Sequence, residues 1–161
     1  MEDQSIQSGK FIIIFKHVLW CGLLVGFLDG TAAIISAYLG KGTNPLRVFQ
    51  FIASGIFGKD AFTGGYWMAT IGFSLHFIIS LGWAALFFFL YPRFRILAWN
   101  KIIVGMAYGI LVLLAMKFLV LPLSNVPMIN PGKMEPQQII IHMLLVGLPI
   151  SILANRFYSK N

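Results

Sequence analysis

Residues 67–90 read WMATIGFSLHFIISLGWAALFFFL, with no charged side chain and a single histidine, His76. The hydrocarbon core of a bilayer needs about 20 apolar residues at a helical rise of about 1.5 Å each. This stretch meets that length, and its one ionisable group lies well inside it. Three further stretches meet it as well, at about residues 18–39, 102–121 and 139–157. The first has an apolar lead-in at 11–15, ahead of Lys16 and His17. The third stops at Pro122, and Pro149 inside the fourth predicts a kink. The expected fold is therefore an all-α membrane protein, a single bundle of four transmembrane helices over residues 1–161.

The totals agree. Of 161 residues, 58% are hydrophobic and 11% charged, against about a quarter charged in soluble domains. The net charge of +7 does not point to nucleic acid, because Lys and Arg cluster at the ends of apolar runs. There they act as topology signals and contact lipid head groups. A lone cysteine, Cys21, excludes an intramolecular disulfide and reads as a small packing residue. The first stretch is too long, and lacks a clean small-x-small site, for a cleaved signal peptide. The bilayer is the implied partner, and a bundle this small admits a homo-oligomer.

Four spans put both termini and the middle loop on one side, with Lys10, Lys16, Arg93, Arg95, Lys101, Arg156 and Lys160. The other side holds Lys41, Arg47, Lys59 and Lys133. The heavier side is expected to be cytoplasmic, in a bacterial inner membrane. Tyr66, Trp67, Tyr91, Trp99 and Tyr158 fall near span ends, as interfacial aromatics do. GKGTNP at 40–45 breaks the first helix, and 46–57 is apolar but too short to cross. Arg47, Gln50 and Ser54 share one helical face there, which predicts an amphipathic or re-entrant helix. A connector lying on the outer leaflet is the favoured reading, and a lid over a polar site the sharper one. The connection 124–137, with Pro127, Pro131 and Pro136, reads as a turn-rich outer loop. Asp60 and Glu135 lie in outer connections and call for no special role.

One ionisable side chain sits in each span: Asp29, His76, Lys117 and His142. Charge in hydrocarbon is expensive, so such groups face a partner or a wet cavity. Counted from the outer end, Asp29 lies about 15 Å deep, His76 about 14 Å, Lys117 about 6 to 8 Å and His142 about 5 Å. All four could thus line one pocket open to the outside. Gly22, Gly26 and Gly30 form a small-residue stripe beside Asp29, followed by Ala33 and Ala37. Gly72, His76 and Ser80 share a face, Gly105 and Gly109 mark another close approach, and His142 aligns with Val146 and Pro149. Each residue also has a plainer role. Asp29 can bond Thr31 or Ser36, or pair with Lys117 or a histidine. Lys117 can snorkel to the interface. The histidines can tie helices together.

Ser74-Leu75-His76-Phe77-Ile78-Ile79-Ser80, the Pro92-Arg93 turn, Gly105 with Gly109, Leu121-Pro122-Leu123, His142 and Arg156 carry a resemblance. On these, the last three spans resemble the YagU-like group of uncharacterised bacterial inner-membrane proteins, which has no assigned reaction and is associated with tolerance of acid stress. The glycine-rich stretch 46–65 is similar to small bacterial proteins of unknown role. The resemblance implies that His76 and His142 matter, whereas Asp29 rests on physics alone.

No phosphate loop, metal cluster or nucleophile motif is present, and no cofactor is expected. The leading expectation is proton-linked or small-solute transport. A structural or assembly subunit comes second. A haem or lipid enzyme is last, because the depths of His76 and His142 differ by about 9 Å.

Overall fold

The computed structural model describes residues 2–127 and 135–159, so Pro131, Lys133 and Lys160 lie outside the described residues. The described residues form helices and turns, with no strand among them. α1 is Glu2–Lys41, α2 Pro45–Phe57, α3 Gly65–Leu90 and α4 Lys101–Ala115. α4 continues through a wide π-helical turn, Met116–Val120. The last rod comprises α5 (Pro136–Ile141), a second π-helical turn (His142–Gly147) and α6 (Leu148–Tyr158). Four segments are long and apolar enough to cross a membrane: Ile12–Gly40, Gly65–Leu90, Lys101–Val120 and Pro136–Tyr158. They define a multi-pass, all-α membrane protein.

The first span starts earlier than expected, because the apolar lead-in is part of α1. Lys16 and His17 sit within the helix near the start of the Ile12–Gly40 span, where Lys16 is exposed and His17 Nδ1–H donates to the Ile13 carbonyl at 2.8 Å. The helix stops where Gly42 takes a φ of 60° and its N–H bonds the Tyr38 carbonyl at 2.8 Å. That is a left-handed cap, which glycine adopts at no steric cost. Two residues on, Asn44 accepts from the Leu46 N–H at 2.9 Å, and Pro45 opens α2. The breaker read at 40–45 is thus a stop, a turn and a start.

α1 and α3 meet along the predicted glycine stripe. A Cβ at Gly22 would fall 2.6 Å from Leu81, one at Gly26 2.8 Å from Phe77, and one at Gly30 3.0 Å from His76. α4 meets the last rod in the same way. A Cβ at Gly109 would lie 2.2 Å from the His142 carbonyl oxygen, and one at Gly147 2.0 Å from that of Gly105. Helices approach this closely only where side chains are absent. Cys21, Val25, Phe87, Phe88, Tyr108, Ile150 and Phe157 form the core where α3 ends and α4 begins. Cys21 is a packing residue within it.

Tyr91 and Tyr158 do not float at the interface as their positions predict; they clasp this end of the bundle. Their rings stack at 5.0 Å, Asn155 Nδ2 donates to the Tyr91 hydroxyl at 2.8 Å, and the Tyr158 hydroxyl donates to the Phe88 carbonyl at 2.9 Å. Tyrosine can do this because its polar tip finds partners inside. Tyr66, Trp67 and Trp99 are exposed, as an interfacial role requires.

α2 is not a solvated connector. A Cβ at Gly72 of α3 would lie 1.8 Å from the Phe49 carbonyl oxygen, so the α2 backbone rests directly on α3. Gln50, Ala53 and Ser54 are buried in that contact. From the other side, Asn125 holds the last turn of α2. Its N–H donates to the Gly55 carbonyl and its Nδ2 to that of Ile56, both at 2.9 Å. The 46–57 stripe is polar because it faces backbone: Gln50 Nε2 donates to the Gly65 carbonyl at 3.1 Å, and Ser54 Oγ to that of Phe51 at 2.7 Å. Arg47 departs from the stripe. It is exposed, reaching the Phe62 carbonyl at 3.5 Å with its guanidinium 5.7 Å from the Phe62 ring centre.

Candidate functional site

Beneath α2 lies a recess of about 230 Å³, and every spanning helix contributes to its wall. α1 supplies Val25, Asp29, Gly30 and Ala33; α3 supplies His76, Ile79, Ser80 and Trp83. Val112 and Met116 come from α4 and the turn after it, and His142 and Val146 from the last rod. Val48, Phe49, Phe51 and Ile52 of α2 close it over. The lid reading of 46–57 thus matches the geometry, and nothing in the sequence singles out these four α2 side chains.

A wider vestibule of about 880 Å³ adjoins the recess. The two share Asp29, Ala33, Val48, Phe51 and His142. The vestibule adds Ser36, Thr43, Arg47, Glu135, Gln137 and Gln138, so it is the more polar chamber. Asp29 and His142 stand at the junction of the chambers, and His76 lies in the recess alone. Glu135, given no role in the sequence reading, is a vestibule wall residue.

His76 is 8% exposed, and its Nε2–H donates to the Gly26 carbonyl on α1 at 2.8 Å. This bond works only because Gly26 and Gly30 leave room for the imidazole, and contributes about 1 kcal/mol. Nε2 is committed there, so Nδ1 is the nitrogen left to accept. Phe49 and Phe77 flank the ring at 6.5 and 5.6 Å between centres. Ser80, on the same face, donates back to the His76 carbonyl at 2.9 Å rather than to the ring.

Asp29 is half-buried. Among the described residues it has no hydrogen bond or ion pair: Thr31, Ser36, Lys117 and the histidines do not partner it. His142 is also half-buried, with Nδ1–H donating to the Gln138 carbonyl one turn back at 2.9 Å. It opens the π-helical turn His142–Gly147, which widens the rod just ahead of Pro149. Proline would otherwise clash with the carbonyl four residues earlier, and such wide turns recur at functional sites.

The expectation for Lys117 needs correcting. It does not snorkel outward: it is 8% exposed, within the π-helical turn Met116–Val120, and lines neither chamber. Three of the four intramembrane groups therefore share one cavity system and the fourth sits apart. The three are spread along walls rather than converged. Among the described residues no three His, Cys, Asp or Glu side chains group as metal ligands do.

The fold and site define a four-span helical membrane protein with a lidded, largely apolar cavity whose walls carry a carboxylate and two imidazoles. The chain matches no family model, no curated protein and no solved structure.

Proposed function

We propose that this protein carries protons or a small solute across a bacterial inner membrane, with both termini cytoplasmic and the vestibule opening on the periplasm. One observation supports this above the others: Asp29, His76 and His142, from three different helices, line two adjoining chambers that α2 also walls. A chain using these groups only as glue would not need a cavity between them. Carboxylate and imidazole side chains inside a bundle are the usual means of relaying a proton or holding a solute. The YagU-like resemblance, with its association with acid tolerance, points in the same direction.

Ion and solute flux through the protein reconstituted in liposomes tests this reading. The parent is expected to dissipate an imposed pH gradient, or to exchange solute, faster than empty vesicles. Asp29→Asn and His76→Ala should abolish the excess. Flux unchanged in both variants, or absent in the parent, contradicts the proposal.

A structural or assembly subunit is the second reading, favoured by the bond from His76 to the Gly26 carbonyl, a helix–helix tie. Under it, His76→Ala lowers the stability of the bundle in a detergent unfolding titration while Asp29→Asn does not. Haem ligation has the least support, because the recess of about 230 Å³ has room for about one aromatic ring with a short chain, not for a porphyrin.

A further inference from the structure

We propose that the ligand is an amphipathic organic cation, with its ammonium head at Asp29 and its apolar body in the recess under α2. The inference rests on the binding and transport reading above and names its substrate class. Among the described residues, the charged or ionisable side chains that line the vestibule with Asp29 are Glu135, Arg47 and His142. Glu135 adds a second negative charge. Arg47 is turned onto the Phe62 ring and carbonyl, and the His142 Nδ1–H is spent on Gln138. Among the described residues an anion therefore meets two carboxylates, a guanidinium already turned onto Phe62, and only the neutral hydroxyl and amide donors of Ser36, Thr43, Gln137 and Gln138. A cation meets Asp29, a half-buried carboxylate with no protein partner among the described residues. A carboxylate withdrawn from water gains most from an opposite charge.

The recess fixes the rest of the ligand. Its wall is apolar apart from Asp29, Ser80 and the histidines, and Phe49, Phe51 and Trp83 supply aromatic surface of the kind that takes alkylammonium groups. An apolar cavity of about 150 Å³ accepts benzene, so a recess of about 230 Å³ admits one aromatic ring with a short chain. A metal cation suits the site less, since no ligand triad forms among the described residues.

The test uses the full chain in lipid nanodiscs and three probes with the same phenyl body: phenethyltrimethylammonium, 2-phenylethanol and 3-phenylpropanoate. Equilibrium dialysis should show the cation bound most tightly. Asp29→Asn should weaken the cation on the order of tenfold to a hundredfold and leave 2-phenylethanol unchanged, while Asp29→Glu restores the preference. Ala33→Phe, which fills the junction of the chambers, should abolish both. Equal binding of cation and anion, or a cation affinity indifferent to Asp29→Asn, overturns the cation assignment. If 2-phenylethanol still binds and Ala33→Phe removes it, the binding site survives and only the charge preference falls. If no probe binds in the parent, the ligand assignment falls, and the transport reading stands or falls separately on the liposome flux.

Discussion

Replacing Gly72 with alanine tests the seat of α2 with a single methyl group. The added Cβ would stand 1.8 Å from the Phe49 carbonyl oxygen and 2.6 Å from its carbon. Both are backbone atoms of a helix, so neither can swing aside as a flexible side chain would. α2 must lift from α3, and overpacking of this kind costs about 1 to 3 kcal/mol, sometimes more. Gly82 lies on the same helix, ten residues on, and a Cβ there meets nothing within 4 Å. Gly82→Ala should instead gain up to about 1 kcal/mol from helix propensity. The two alanines should differ by about 1 to 4 kcal/mol. Reversible unfolding in mixed detergent micelles, followed by circular dichroism, measures that difference. Maleimide labelling of Ile52→Cys, which lines the recess, should be faster in the Gly72→Ala background. Native Cys21 is fully buried and should stay silent. Equal stabilities for Gly72→Ala and Gly82→Ala would show that α2 does not rest on α3, and the lid would have no basis.

Other substitutions probe the supports of the site. Gln50 is buried, with Nε2 bonded to the Gly65 carbonyl and Oε1 without a partner among the described residues. Gln50→Leu loses one bond but removes an unsatisfied oxygen, so stability should stay within about 1 kcal/mol of the parent. Gln50→Glu places a carboxylate in the same spot and should cost about 2 kcal/mol or more; the same detergent titration reads both. Asn100 caps α4, accepting from the N–H groups of Ile102 at 2.9 Å and Ile103 at 3.2 Å. Asn100→Ala should lower stability by about 1 kcal/mol, with Asn100→Ser restoring most of it in a thermal melt.

The spans, the glycine stripe of α1 and the three cavity groups Asp29, His76 and His142 were legible in the sequence, for one reason. In a helix apolar all round, hydrophobic periodicity cannot tell a lipid face from a protein face. Small residues and misplaced polar ones are the only marks of orientation. Gly22, Gly26 and Gly30 provide that mark, and so do Gly72, His76 and Ser80. What the stripe does not reveal is the partner: Gly72 receives α2, whereas His76 and Ser80 face α1. The role of α2 is hidden because its length excludes a crossing without saying what it lies against. The wide turns at Met116–Val120 and His142–Gly147 leave no compositional trace beyond Pro149. They shift the register of the residues around Lys117 and His142, so counting along a regular helix misplaces Lys117. Tyr91 and Tyr158 look like interfacial aromatics by position, and only the packed structure shows their hydroxyls turned inward.

Substituted-cysteine accessibility at position 29 bears most directly on the cavity. In a Cys21→Ser background, Asp29→Cys should react quickly with a membrane-impermeant thiosulfonate added on the α2 side, and Ala33→Phe should suppress that reaction. Ile78→Cys, on the exposed apolar surface of α3, should remain unmodified. An inert thiol at position 29, or one that reacts equally with and without the bulky residue at 33, would mean that no water-filled path reaches that depth between α1 and the α2 lid.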